Sequence, residues 1–212
     1  MVVFLLACLV PAERKGVELP KPGGVEALSM EDLKRDTWRL VEPVLEGRGF
    51  GTPGYDEGVR RLEQRFGEMS LSPVFRDGFR RSVGQGTAVC GRHVGRSGLR
   101  AVLAIDDGVG LVTGALPAAA LISLAKVSDQ LGDDRPTDLL FCVTPDEAAL
   151  ADLTRGAERV LVVEGLDPEA PLDVQGERVL RVNAQVERDP DGVDYQDLRA
   201  HTQGLWHALS GA

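Results

Sequence analysis

Carboxylates that follow apolar runs are the side chains of this sequence best placed to do chemistry. Residues 101–105 are consecutive apolar residues, and Asp106 and Asp107 come directly after them. A second run, Asp138–Val143, leads into Asp146 and Glu147. A third, Arg159–Val163, is followed by Glu164 and Asp167. Carboxylates gathered at one site could hold a cation or move a proton. Nitrogen and sulfur donors are sparse: His93, His201 and His207, and Cys8, Cys90 and Cys142, with no Cys-x-x-Cys spacing. Catalytic zinc centres usually take three protein ligands that include nitrogen or sulfur. An oxygen-only set suits magnesium or calcium, and weakly. No serine or cysteine paired with a histidine base offers a nucleophile instead.

The elements that must position these acids emerge from the same runs. Short, wholly apolar segments are strands covered on both faces, and open α/β sheets bind ligands beyond the carboxyl ends of their strands. Between the runs, residues 115–131 predict a helix with Pro117 in its first turn and Leu121, Leu124, Ala125 and Leu131 inward. A further helix is expected from Pro145 to about Leu153. There Thr144, Pro145 and Glu147 read as N-cap, N1 and N3 of a capping box, with Asp146 favoured by the helix dipole. That capping role is an alternative to any chemistry at Asp146 and Glu147.

Upstream, Ser29 and Asp32 bracket a helix start, and 30–45 is expected as a helix broken near Pro43. Val59, Leu62, Phe66 and Met69 form the stripe of a second amphipathic helix. Short extended segments are expected near 73–80 and 86–92, with a turn at Gly95–Gly98. His93 reads there as a surface turn residue. Residues 171–182 suggest an edge strand, and 194–209 a closing helix that contains His201 and His207. The strand–helix alternation predicts a single α/β domain over 29–212, a three-layer α/β/α sandwich with a mostly parallel mixed central sheet.

A chain of 212 residues that is 43% hydrophobic has a globular composition. A net charge of −9 argues against a phosphate-backbone partner. Cys90 and Cys142 lie in apolar runs and are expected as buried free thiols. Residues 1–10 are almost wholly apolar but too few to span a bilayer. Leu5-Leu6-Ala7-Cys8 is similar to a bacterial lipobox, although no lysine or arginine precedes it. Residues 1–28 are therefore expected as a signal or lipobox remnant plus a Pro- and Gly-containing linker. The chain is expected to be exported or associated with the cell envelope, touching a membrane only through a lipid at Cys8. The alternatives are a buried or frayed N-terminal strand and a cytoplasmic protein.

From about residue 30 onward these pieces resemble the two-zinc aminopeptidase family, which includes bacterial leucyl aminopeptidases and the peptidase-like domain of glutamate carboxypeptidase. The likeness is carried by Leu45-Glu46-Gly47-Arg48-Gly49-Phe50-Gly51-Thr52-Pro53-Gly54-Tyr55, by Thr87-Ala88-Val89-Cys90-Gly91, and by Asp191-Gly192-Val193-Asp194-Tyr195-Gln196-Asp197-Leu198. The resemblance implies two zinc ions held by histidines and acids, and here the sequence departs from it. The family's His-x-Asp becomes Ile105-Asp106-Asp107. The segment that should carry the bridging acid reads Val112-Thr113-Gly114-Ala115-Leu116-Pro117. The Thr-Gly-Glu-Glu motif becomes Thr144-Pro145-Asp146-Glu147. By this likeness Asp107 and Asp146 are vestigial catalytic candidates, and Glu147 and Glu164 vestigial metal ligands, with Asp167 a rival register for Glu164.

These departures imply a catalytically inactive, aminopeptidase-like envelope protein that is expected to bind a peptide or protein partner and to carry no cofactor. One alternative is a working metal-dependent hydrolase, with zinc, on a rearranged site of Asp106, Asp107, Asp146, Glu147 and Glu164. Another is a structural envelope lipoprotein.

Overall fold

The structure, a computed structural model, describes residues 28–42, 49–106, 114–132, 135–146, 148–163, 179–182 and 193–210, with backbone alone for 179–182. Its elements run α1 (Met30–Val41), α2 (Pro53–Glu68), β1 (Ser72–Pro73), β2 (Arg80–Val83), β3 (Gly86–His93), β4 (Leu99–Ile105), α3 (Ala115–Gln130), β5 (Asp138–Thr144), a 3-10 turn (Ala148–Leu150), α4 (Ala151–Thr154), β6 (Arg159–Val163), β7 (Val179–Val182) and α5 (Tyr195–Ser210).

The strands make one seven-stranded mixed sheet in the order β1-β3-β5-β4-β6-β7, with β2 beside β1 on the outer edge of β3. The pairs β4–β5, β4–β6 and β6–β7 are parallel, and every pairing of β3 is antiparallel. This is the expected mixed sheet. β4 lies in its middle, as a strand without a polar face must.

Alternation along the strands builds two cores. Val102, Ala104, Phe141, Val143, Leu161 and Val163 meet side chains of α1, α2, α3 and α5 on one face. Ala101, Leu103, Leu140, Cys142 and Val162 meet Leu150 of the 3-10 turn on the other. Among the described residues the layers are thus unequal, with four helices against a turn and one short helix. Helix α3 has almost no polar side, and nearly all of it is buried. A helix apolar all round belongs inside, and here it packs on β4 and β5 beneath α1 and α5.

Local signals set the helix ends. Ser29 Oγ accepts from the Asp32 N–H (3.4 Å), and Thr52 Oγ1 from the Tyr55 N–H (3.3 Å), with Pro53 at the first helical position. At its far end α5 is held by two arginines that face each other across β4 and β6. Arg100 donates to the Leu209 carbonyl (2.6 Å) and Arg159 to that of Ala208. These bonds occupy carbonyls a helix end leaves unpaired, and they place the carboxyl end of α5 at the amino ends of the strands.

Three expectations need correction. The helix read from Pro145 starts late: Thr144 Oγ1 accepts from the Asp146 N–H (3.2 Å) and donates to its carbonyl (2.9 Å), and Asp146 Oδ1 accepts from the Ala148 N–H (2.9 Å). These local turns use the same residues as a capping box would, so a 3-10 turn forms first and α4 comes after it. Cys90 and Cys142 are not free thiols but a disulfide, because antiparallel β3 sets them directly opposite each other. His93 is not a surface turn residue. It ends β3 and is only 2% exposed.

Candidate functional site

The carboxyl ends of β4 and β5 lie side by side, since Ile105 pairs with Thr144. The Asp106 N–H continues that ladder by donating to the Thr144 carbonyl (3.0 Å). Asp106 is buried there, 4% exposed, whereas Asp146 is exposed in the turn after β5. Ile105 packs against the apolar cluster of Leu103, Leu140 and Cys142. Asp107, Glu147, Glu164 and Asp167 lie outside the described residues, as do Val112 and Thr113. The structure therefore places two of the expected acids, Asp106 and Asp146, just beyond neighbouring strand ends, one buried and one exposed.

Among the described residues, no three histidine, cysteine, aspartate or glutamate side chains converge as metal ligands. The described donors at the strand ends, Asp106 and Asp146, offer oxygen only, which does not fit a zinc centre.

The histidines are placed elsewhere. His93 pairs with Leu139, at the amino end of β5. From there to Thr144 the strand runs roughly 17 Å at ~3.3 Å per residue. Both ring nitrogens of His93 are engaged: Nε2–H donates to the Met69 carbonyl (2.8 Å), and Nδ1 lies 2.8 Å from Ser128 Oγ. Neutral imidazole satisfies this arrangement, with the Ser128 hydroxyl donating to Nδ1. Burial holds His93 below its ordinary pKa and Arg135 adds to that, against the Met69 carbonyl and Asp129. His207 lies in the last turn of α5, at the amino edge of the sheet. His201 sits about 9 Å back along the helix, where its Nδ1–H donates to the Asp197 carbonyl (3.0 Å).

A cleft of about 350 Å³ opens between α1 and α2, lined by Asp36, Arg39, Glu42, Arg61, Arg65 and Glu68 among others, with Ile122 of α3 also on its wall. The only sequence sign of it is the charge flanking the α2 stripe, at Arg60, Arg61 and Arg65. Several of its charges answer one another. Arg65 bridges Asp36 (3.0 Å) and Glu68 (2.7 Å), and Arg61 bridges Glu42 (2.6 Å) and Glu57 (2.9 Å). Hydrogen bonds from Arg60 and then Arg61 hold the Glu57 carboxyl down to about 2. The Arg65–Asp36 and Arg61–Glu42 pairs cross from α2 to α1 and its C-cap and tie the two helices together.

No protein-family model and no curated protein sequence matches the chain. Solved structures do. A leucine aminopeptidase precursor from Bacteroides thetaiotaomicron aligns over 90% of this chain and 99% of its own, with a TM-score of 0.63 at 11% identity. A Zn-dependent exopeptidase from Parabacteroides distasonis aligns over 87% and 99%, at 0.63 and 10%. The Bacteroides thetaiotaomicron glutaminyl cyclase bound to N-acetylhistamine aligns over 87% and 98%, at 0.62 and 11%. The chain shares the α/β fold of the zinc-dependent exopeptidases and glutaminyl cyclases.

Proposed function

We propose that this chain is a catalytically degenerate, aminopeptidase-like protein whose scaffold binds a peptide or a protein partner. Ile105 carries the reading. At the end of the central strand, where the resembled family places an imidazole, stands a branched aliphatic with no lone pair, and it is packed into the apolar cluster below it. Support comes from His93, which is committed to Met69 and Ser128 at the opposite edge of the sheet. A zinc ion acidifies its water only when nitrogen- or sulfur-bearing ligands hold it in an open site.

The test pairs elemental analysis of the full chain, purified at neutral pH, with assays on aminoacyl substrates and on peptides with an N-terminal glutamine. The expected result is no retained zinc and no turnover. About two zinc ions per chain with turnover overturns the reading in favour of a metal-dependent hydrolase built on Asp106, Asp107, Asp146, Glu147 and Glu164. That second reading is favoured by one observation, the burial of Asp106 at the strand end.

A further inference from the structure

The disulfide bears on where this chain folds, whatever its strand-end site does. Cys90 and Cys142 are both 0% exposed, and they face each other in register across β3 and β5 with Cα atoms 4.2 Å apart. That separation belongs to the antiparallel position where side chains come closest. Their neighbours are Ala88, Ala101, Leu103 and Leu140, an apolar shell. Thiols that cycle through redox states sit in exposed, electropositive surroundings, and this pair has the opposite environment. The bond ties the antiparallel part of the sheet to its parallel part across 52 residues of sequence.

Cytosolic thiol reductants keep most cysteines reduced, and lasting structural disulfides belong to exported and periplasmic proteins. We infer that this chain completes its fold in an oxidising compartment, where Cys90–Cys142 is installed once as a permanent staple. One thiolate attacks the disulfide of an oxidising protein or small disulfide, breaking its S–S bond to form a mixed disulfide and releasing the oxidant's other sulfur as a thiolate. The second thiolate displaces the oxidant as a dithiol or thiol. Two protons leave the cysteines, and two electrons reduce the oxidant. Both sulfurs are sealed in the finished sheet, so the exchange precedes its closure, and later reduction requires unfolding.

The full chain is produced in a bacterial host in two forms, one directed to the periplasm and one kept in the cytosol. N-ethylmaleimide is added before lysis and again during unfolding in urea, so that buried thiols are also capped, and peptides are mapped without reductant. The expected result is a linked Cys90–Cys142 peptide pair from the periplasmic form and alkylated thiols at both positions from the cytosolic form. The folded periplasmic form should resist dithiothreitol until heated or treated with urea, and its melting temperature should exceed that of the alkylation-free, reduced chain by roughly 8–16 °C. Free thiols at both positions in the folded periplasmic form overturn the staple. An equally complete disulfide in the cytosolic form overturns the compartment. Rapid reduction of the folded protein overturns its permanence. None of these readings depends on a cysteine variant that folds poorly.

Discussion

The Tyr55 hydroxyl bridges both backbone groups of Thr87, accepting from its N–H at 2.6 Å and donating to its carbonyl at 3.2 Å. Tyr55 is in the first turn of α2 and Thr87 near the start of β3, so one phenol fixes the helix onto the sheet. Its ring meets Phe50 edge-on at 5.2 Å. Tyr55→Phe keeps that ring contact and removes only the oxygen. Leaving a partly buried peptide N–H without its partner costs about 1–3 kcal/mol. A drop in melting temperature of roughly 2–12 °C is expected for a domain of this size, measured by thermal unfolding against the parent chain. An unchanged melting temperature would mean that water replaces the phenol at no cost.

Gly95 marks a place where backbone meets backbone. A Cβ there would lie 2.1 Å from the Thr137 carbonyl oxygen. The Gly95 N–H also donates to Asp138 Oδ1 at 2.6 Å, and Asp138 binds Arg92 as well. Gly95→Ala must therefore open the contact between this turn and the start of β5. A loss of about 3 kcal/mol or more is expected, in the range of overpacking and lost hydrogen bonds combined. A urea titration would show it as a lower midpoint with an unchanged slope.

Arg81 clamps the segment that comes after the Thr144–Glu147 motif. From β2 its guanidinium donates to both carboxylate oxygens of Asp152 (2.9 and 3.1 Å) and to the Ala149 carbonyl (2.6 Å), lying 4.7 Å from the Phe75 ring centroid. Hydrogen bonds from Arg81 hold the Asp152 carboxyl below its usual range. Asp152 is 58% exposed, so water screens the pair and its global worth is about 1 kcal/mol or less. The effect should be local. Arg81→Lys keeps the charge but loses the planar fork. Amide exchange across Ala148–Thr154 is expected to quicken several-fold while the melting temperature moves by only a few degrees. Uniform quickening across the whole sheet would instead make Arg81 a global determinant.

What can be read from the sequence is what short stretches decide for themselves. Residues 101–105 identify a two-sided strand because every side chain in them is apolar, and the spacing of Leu121, Leu124, Ala125 and Leu131 identifies a helix over 115–131, though not that nearly all of it is buried. Pairings between distant segments are beyond such reading. Cys90 meets Cys142 only because β3 runs antiparallel beside β5 in one particular register, and nothing near either cysteine specifies that. His93 looks like part of a turn because its partners, Met69 and Ser128, come from separate helical regions. At Thr144 the residue types of a capping box are capping material, yet the backbone spends them on turns. Of the candidate site, Ile105 is legible as a side chain with no lone pair to offer a metal, since its chemistry needs no fold to be known.

The buried His93 makes stability depend on pH with a definite sign. An unfolded histidine titrates near ~6.5, while burial holds the folded one lower. Below about pH 6.5 the unfolded chain therefore takes up a proton that the folded chain refuses. The stability associated with neutral His93 is complete above that value and is lost as pH falls toward the folded pKa, by at most about 1.4 kcal/mol per pH unit. Carboxylates whose folded pKa is depressed, such as Glu57 and Asp152, weaken stability only nearer the carboxylate range, below about pH 5. A comparison at about pH 7.5 and about pH 5.5 separates the two windows. The urea midpoint is expected to fall between those values in the parent chain. In His93→Gln, whose amide can still donate toward Met69 but takes up no proton, the fall should be much smaller. Equal falls in the two proteins would show that the proton is taken up elsewhere.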